Sequence, residues 1–316
     1  MKQDMILHSD SQNMPKVCVV VLNWNGRELL RKCLNTVVQS EYYLHKIIVA
    51  DNGSTDGSVQ MIRESFPNVI IVENSENLGV PEGKNRGIIR ALEEHADYIY
   101  TLDNDLIMNS KTIKELVLLM EMDQTIGCSG SIIYDSIEKD LILSAGHYIN
   151  WTQNLVKPVA ANQRDIGQLR QCIEVDYVGA GAMLTRASIF DEVGLLDPDF
   201  IGYGYDDADF GMRVNGAGYK VVCHTPSKVW HRPFSAIGRY SFKKKYLESR
   251  NAIRFLRIYG NRWNWVKFLF YVIAGLIYAS IVEGARGNMG GVIGKARGFY
   301  DGFRGREDLA RRLLQV

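Results

Sequence analysis

Between Val17 and Leu102 the chain repeats one pattern: a short continuous apolar run, a polar cluster, then apolar residues at helical spacing. Val17-Cys18-Val19-Val20-Val21-Leu22 ends at Asn23-Trp24-Asn25-Gly26, before Leu29, Leu30, Leu34, Val37 and Val38. Ile47-Ile48-Val49-Ala50 ends at Asp51-Asn52-Gly53-Ser54, before a helix opened by Asp56. Val69 to Val72 runs towards Asn74 and Asn77 and a helix through Ile88, Ile89 and Leu92, and Tyr98 to Leu102 ends at Asp103-Asn104-Asp105. β-branched runs with no polar alternation are strands buried on both faces. Four of them alternating with helices imply a parallel, right-handed, doubly wound sheet. Ligands of such sheets bind beyond the carboxyl ends of the strands, where every one of these polar clusters sits.

The last cluster carries the most chemistry. Asp103 and Asp105 stand one residue apart at the end of a buried strand, and the nearest basic residues, Lys111 and Lys114, lie past a turn. A carboxylate withdrawn from water needs a partner. Mg²⁺ or Mn²⁺ suits a pair of oxygen donors, with a substrate diphosphate supplying further ligands. The plainer reading is a capped turn before the helix that starts near Lys111. The other strand ends add an aromatic ring (Trp24), an acidic acceptor (Asp51, which could equally close an Asx turn) and a Gly-and-Lys loop, Asn77 to Asn85. Trp24 can stack on a base, Asp51 can accept from a base or ribose, and Lys84 or Arg86 can meet phosphate. Together these are the parts of a nucleoside-diphosphate site. No G-x-G-x-x-G or P-loop follows the first strand.

The motifs, in this order, resemble a family 2 glycosyltransferase with the GT-A fold. They are Val19 to Asn25, Val49 to Ser58, Asn77-Leu78-Gly79 with Gly83-Lys84-Asn85-Arg86-Gly87, and Leu102 to Asp105. They continue in Val178 to Leu184, Val193 to Asp197, Tyr205 to Gly211 and Val229-Trp230-His231. Within the family the chain is similar to the rhamnosyl- and galactofuranosyl-transferase-like branch that builds surface glycans. The resemblance implies a Rossmann-like, doubly wound mixed sheet over residues 15–235 and a uridine or thymidine diphosphate sugar as donor. Leu22, Trp24, Asn25, Asp51, Lys84 and Asn104 would contact that donor. Asp103 and Asp105 would hold Mn²⁺ or Mg²⁺, with His231 as a further ligand. Two positions depart from the family pattern: Pro81-Glu82 stand where small residues are usual, and the usual Glu-Asp-x-Asp is Asp206-Asp207-Ala208-Asp209.

Asp206, Asp207 and Asp209 open a helix read from Phe210, Met212 and Val214, where acids cap exposed N–H groups and favour the dipole. One or two would suffice for capping. An acid beside a donor site is well placed as a general base. Asp207 matches the family's base, which implies direct attack on the anomeric carbon with inversion; Asp206 and Asp209 are expected to point away. Residues 127–175 read as an acceptor-side insertion, with Tyr148, Trp151, Tyr203 and Tyr205 as candidate sugar contacts.

Charge divides the chain. From Lys228 onwards 18 Lys and Arg face 5 Asp and Glu, a net of +13, which leaves −12 for the first 227 residues. A basic tail on an acidic body points to an anionic partner, membrane or nucleic acid. Residues 236–316 contain a basic amphipathic segment, Ser241 to Tyr259, and then Phe268 to Val282, fifteen residues without a charge, behind Trp263 and Trp265. Flanking tryptophans and a basic belt favour an anionic membrane surface over nucleic acid, with a peripheral or shallowly inserted helix at the cytoplasmic face. A core helix or a homo-oligomer contact is the alternative. Five scattered cysteines without a C-x-x-C pair fit a reducing compartment, and the polar stretch Met1 to Met14 reads as a loose tail. The leading expectation is a glycosyltransferase acting on a glycan or lipid-linked acceptor. A sugar nucleotidyltransferase and a non-catalytic basic scaffold are the alternatives.

Overall fold

The computed structural model describes residues 14–152, 155–202, 204–231, 241–287 and 289–315. The expected N-terminal tail, except Met14, and Tyr203 lie outside the described residues. The first strands are β1 (Val17–Asn23), β2 (Leu44–Asp51), β3 (Ile70–Glu73) and β4 (Tyr98–Asp103), parallel in the order β3-β2-β1-β4. They are connected by α1 (Arg27–Val37), α2 (Ser58–Ser65) and α3 (Val80–Glu93). Val17, Val19 and Val21 of β1 pack with Leu30, Leu34, Met61 and Ile62 on one face, while Cys18 and Val20 pack with Ile88 and Ala91 on the other. Burial on both faces explains the unbroken apolar runs.

The segment read as a Gly-and-Lys loop is largely helix: α3 begins at Val80. Its glycines let it lie against the sheet. A Cβ at Gly83 would approach Asn52 Nδ2 to 2.6 Å, and one at Gly87 would collide with Val20.

After β4 come β5 (Leu106–Met108), α4 (Thr112–Met122) and β6 (Ile126–Asp135). The insertion adds β7 (Leu141–Ser144), β8 (His147–Ile149), β9 (Val156–Pro158), β10 (Gln163–Arg164) and β11 (Cys172–Glu174). β12 (Ala182–Arg186) runs antiparallel beside β4 and turns the parallel sheet into a mixed one. α5 (Ala187–Val193), α6 (Asp206–Gly216) and β13 (Lys220–His231) follow. β13 is parallel to β6 and antiparallel to β5.

The C-terminal helices are α7 (Phe242–Tyr259), α8 (Arg262–Ala285), α9 (Met289–Arg304) and α10 (Asp308–Leu314). α7 is not an open basic surface. Ala252, Ile253, Phe255 and Leu256 pack with Phe200 and Ala208 of the preceding body. Its cations serve the fold: Arg250, 4% exposed, donates to Asp199 O and pairs with Glu307 (2.8 Å). Arg254 pairs with Asp197 (2.7 Å) and Asp199 (3.0 Å). Part of the charge split is thus satisfied inside the chain, where acid and base neutralise each other on burial. α8 does differ from its neighbours: only 11% of its most apolar 18-residue stretch is buried.

Candidate active site

Side-chain hydrogen bonds tie the carboxyl ends of β1, β2 and β4 into one floor. Asn23 donates from Nδ2 to Asp51 Oδ2 (2.9 Å) and accepts at Oδ1 from Asn104 Nδ2 (2.6 Å). Asp51 is 2% exposed, and its Oδ1 accepts from the Ser54 backbone N–H (2.8 Å). This is the Asx turn of the plainer sequence reading, and only the spare lone pairs of the carboxylate are left for a ligand. Asn25, at φ 47°, accepts at Oδ1 from the Thr55 N–H (2.8 Å) and joins the same two loops. In front of this network Leu22, Trp24, Asp103, Asn104 and Asp105 line a cavity of about 220 Å³.

Two walls of the cavity come from far along the chain. Lys243 of α7 sets its ammonium 5.3 Å from the centre of the Trp24 ring. Leu314 closes another side, held by Asn77 Nδ2 donating to Leu314 O (3.0 Å), 237 positions away. Local sequence carries no signal for either contact, because only the packing of α7 and α10 creates them.

Lys84 does not line this cavity as a free cation. It is 2% exposed, meets Asp103 Oδ1 at 2.8 Å and donates to Ala180 O at 3.0 Å. Burial disfavours its charge, but Asp103, Asp206 and Asp207 outweigh that and hold its pKa above the ordinary value. Lys84 is the counter-ion of the acidic cluster. Arg86, the other phosphate candidate, pairs with Glu82 on its own helix (2.9 Å).

Asp105 and His231 meet because β13 pairs with β5, with His231 opposite Leu106. Asp105 Oδ2 lies 3.0 Å from His231 Nε2. Burial alone would depress the imidazole pKa; the hydrogen bond and charge of Asp105, backed by Asp103 and Asp135, raise it. Among the described residues no group of three or more His, Cys, Asp or Glu side chains is placed to hold a metal ion by itself. A carboxylate that lines the cavity, with an imidazole 3.0 Å from it, nevertheless fits a divalent cation completed by substrate oxygens. Binding one would displace the imidazole proton.

A second acidic site lies across the turn Gly179-Ala180-Gly181. A Cβ at Gly181 would come within 3.0 Å of Asp103 Cγ, and one at Gly179 within 3.9 Å of Asp207 Oδ2. Lys84 grips the turn between them. The acids of α6 diverge. Asp209 is buried, pairing with Arg213 (2.8 Å) and accepting from Tyr259 Oη (2.7 Å). Asp206, 4% exposed, accepts from the Gly204 N–H (3.1 Å). Asp207 alone of the three lines a separate cavity of about 420 Å³. Burial first, then the charge of Asp206, push its carboxyl up to about 7. Of the expected aromatics, Tyr205 lines that cavity, Trp151 stacks on Phe255 (6.1 Å), and Tyr148 donates to Glu174 O (3.0 Å).

The glycosyl transferase family 2 model matches residues 18–194, a stretch that ends before α6 and His231. The chain is 26% identical over 213 residues to N-acetylglucosaminyl-diphospho-decaprenol L-rhamnosyltransferase of Mycobacterium tuberculosis, covering 61% of this chain and 68% of that one. A solved structure of GalNAc-T7 with UDP, GalNAc and Mn²⁺ superposes with a TM-score of 0.61 at 17% identity, over 80% of this chain and 49% of that one. The mannosyltransferase PcManGT from Pyrobaculum calidifontis, with GDP-Man and Mn²⁺, gives a TM-score of 0.54 at 14% identity, over 95% and 92%.

Proposed function

The chain belongs to glycosyl transferase family 2, and from that premise we propose that it moves a sugar, with inversion, from a nucleoside-diphosphate donor to a hydroxyl of a glycan or lipid-linked acceptor. The observation that carries this reading is a pair of cavities whose acids, Asp103 and Asp207, flank the Gly179–Gly181 turn. One is lined by Trp24, Asn104 and Asp105, which pairs with His231, and the other by Asp207. Trp24 offers a face for the base, and Asn104 a donor group for ribose or sugar.

Asp105 and His231, with Asp103 beside them, would hold Mn²⁺ or Mg²⁺, which supplies positive charge for the departing diphosphate. Both structural neighbours named above carry Mn²⁺. Lys243 adds a protein cation at the same cavity. Asp207, with its raised pKa, takes the acceptor hydroxyl proton as the oxygen attacks the anomeric carbon. The bond from that carbon to the diphosphate oxygen breaks on the opposite face.

The mycobacterial relative is named for a lipid-linked acceptor. In keeping with it, we assign α8 to the membrane surface. Its 24 residues span about 36 Å and expose Trp263, Phe270, Ile273, Ile277, Tyr278 and Ile281. The five free cysteines agree with the cytoplasmic side. The test is a screen of uridine, thymidine and guanosine diphosphate sugars. Release of nucleoside diphosphate, lost in chelator, supports the reading; release of inorganic diphosphate would instead mark a nucleotidyltransferase.

A further inference from the structure

α9 turns an apolar stripe outward. Its glycines Gly294, Gly298 and Gly302 lie against α7, where a Cβ on each would come within 2.9 Å of Phe242, Tyr246 or Ile253. On the outer face Met289, Ile293, Tyr300 and Phe303 follow at helical spacing, 39–55% exposed. Phe303 meets Trp265 of α8 (ring centres 5.7 Å apart), so the stripe runs into the exposed apolar surface of α8. A surface of that extent marks a docking site. Cations border one end of it. Arg297, Arg304 and Arg306 set their guanidinium carbons 5.6, 5.8 and 5.6 Å from the centre of the Tyr300 ring. Arg297 pairs with Asp301 (2.9 Å). Arg304 and Arg306 are exposed and make no ion pair among the described residues, unlike Arg250 and Arg254 of α7, which meet carboxylates. Gly305, at φ 66°, turns the chain between them.

We propose that α9 docks beside α8 on the bilayer and that Arg304 and Arg306, at the Tyr300 ring, hold the phosphate of an anionic phospholipid. The inference rests on the assignment of α8 to the membrane surface and names the lipid class. Guanidinium groups donate to phosphate oxygens in a fork geometry, and Tyr and Trp rings favour the headgroup level. A zwitterionic headgroup brings its own cation to two guanidiniums that lack counter-ions, whereas an anionic one does not. A second copy of this chain is a poorer occupant. The only acids of α8 and α9, Glu283 and Asp301, are buried, so the matching face offers the guanidiniums no carboxylate.

The test is sedimentation of the full chain with vesicles of phosphatidylcholine alone and of phosphatidylcholine containing about a third phosphatidylglycerol. The wild type should bind the anionic vesicles about tenfold more tightly or better. Arg304→Gln with Arg306→Gln should lose most of that preference and keep its binding to phosphatidylcholine. Arg304→Lys with Arg306→Lys should keep part of the preference, since the charge stays and the fork is lost. Lys32→Gln with Lys111→Gln, the same change of net charge on exposed residues outside the C-terminal helices, should bind as the wild type does. Met289→Ser with Ile293→Ser should weaken binding to both vesicles about tenfold. Equal binding of the wild type to both vesicles overturns the headgroup site, and so does an equal loss in the Lys32 and Lys111 variant. A dimer in sedimentation velocity that Ile293→Ser dissolves would put a second copy on the stripe and also overturn it. Failure to bind either vesicle would sink the α8 assignment as well, a result distinct from binding without preference. Circular dichroism melts of each variant separate unfolding from lost contact, and the lysine pair stands in if the glutamine pair unfolds.

Discussion

Replacing Asp207 by Asn should make the protein more stable and nearly inactive. The carboxyl is pushed from its ordinary 3.8 up to about 7, chiefly by burial and then by Asp206, against the Ala208 N–H and Lys84. At 1.36 kcal/mol per pH unit that displacement corresponds to about 4 kcal/mol. Partial exposure of the side chain and sharing of the strain with Asp206 reduce the recoverable part to about 2 kcal/mol. The sign follows from proton binding. A raised carboxyl holds its proton more tightly in the fold than in the unfolded chain, so the cost is absent below 3.8, grows as pH rises, and is complete above about 7. Asn carries no charge, and its Oδ1 can keep the hydrogen bond from the Ala208 N–H (2.8 Å in the native chain). At pH 8 the variant should melt about 4 °C above wild type, and at pH 5 the gap should mostly close. Transfer at pH 8 should fall by about 10²–10⁴, as for a lost general base, while wild-type transfer rises with pH through about 7. Melts at the two pH values, with a transfer assay beside them, give the answer. A variant that melts at or below wild type at both, or that still transfers, refutes the reasoning.

Three other variants separate the remaining roles. Lys84→Met strands Asp103, Asp206 and Asp207 without their counter-ion; urea melts should show a loss of about 3 kcal/mol, the low end for a broken buried pair because the Asp103 side chain is 42% exposed and can rehydrate. Gly181→Ala pushes the Asp103 carboxylate off Lys84; transfer should drop about tenfold or more with about 1 kcal/mol of stability lost, and unchanged kinetics would show that the position of Asp103 does not matter. Phe270→Ser with Ile277→Ser and Ile281→Ser should abolish flotation with anionic vesicles while the melting temperature holds, since all three side chains are exposed. Vesicle binding that survives the triple change would remove α8 from the membrane.

The parallel half of the sheet was legible because each of its strands is covered on both sides. Val17 to Val21 could be read without knowing which helix met which face. The acids stood out as candidates because a carboxylate withdrawn from water needs a partner, and the structure gives Asp103 to Lys84 and Asp105 to His231. What the sequence hid was assembly over long separations. Arg250 and Arg254 looked like a lipid-facing belt, since helical periodicity reports an amphipathic face and not its partner; their partners Asp197, Asp199 and Glu307 lie about 50 positions away. Lys84 looked like a phosphate ligand because a glycine-flanked lysine usually is. Its burial followed from α3 packing closely on β1 and β2, which the spacing of Gly83 and Gly87 could have suggested. Lys243 at Trp24 and Leu314 at Asn77 had no sequence signature at all.

The most direct test of the account is a crystal structure of the protein with nucleoside diphosphate and Mn²⁺, with anomalous scattering recorded at the manganese edge. One peak is expected about 2.2 Å from Asp105 and His231 and in contact with diphosphate oxygens, with the base on Trp24 and Lys84 still on Asp103. A peak at Asp206 and Asp207 instead, or nucleotide bound with no metal at Asp105, would contradict it.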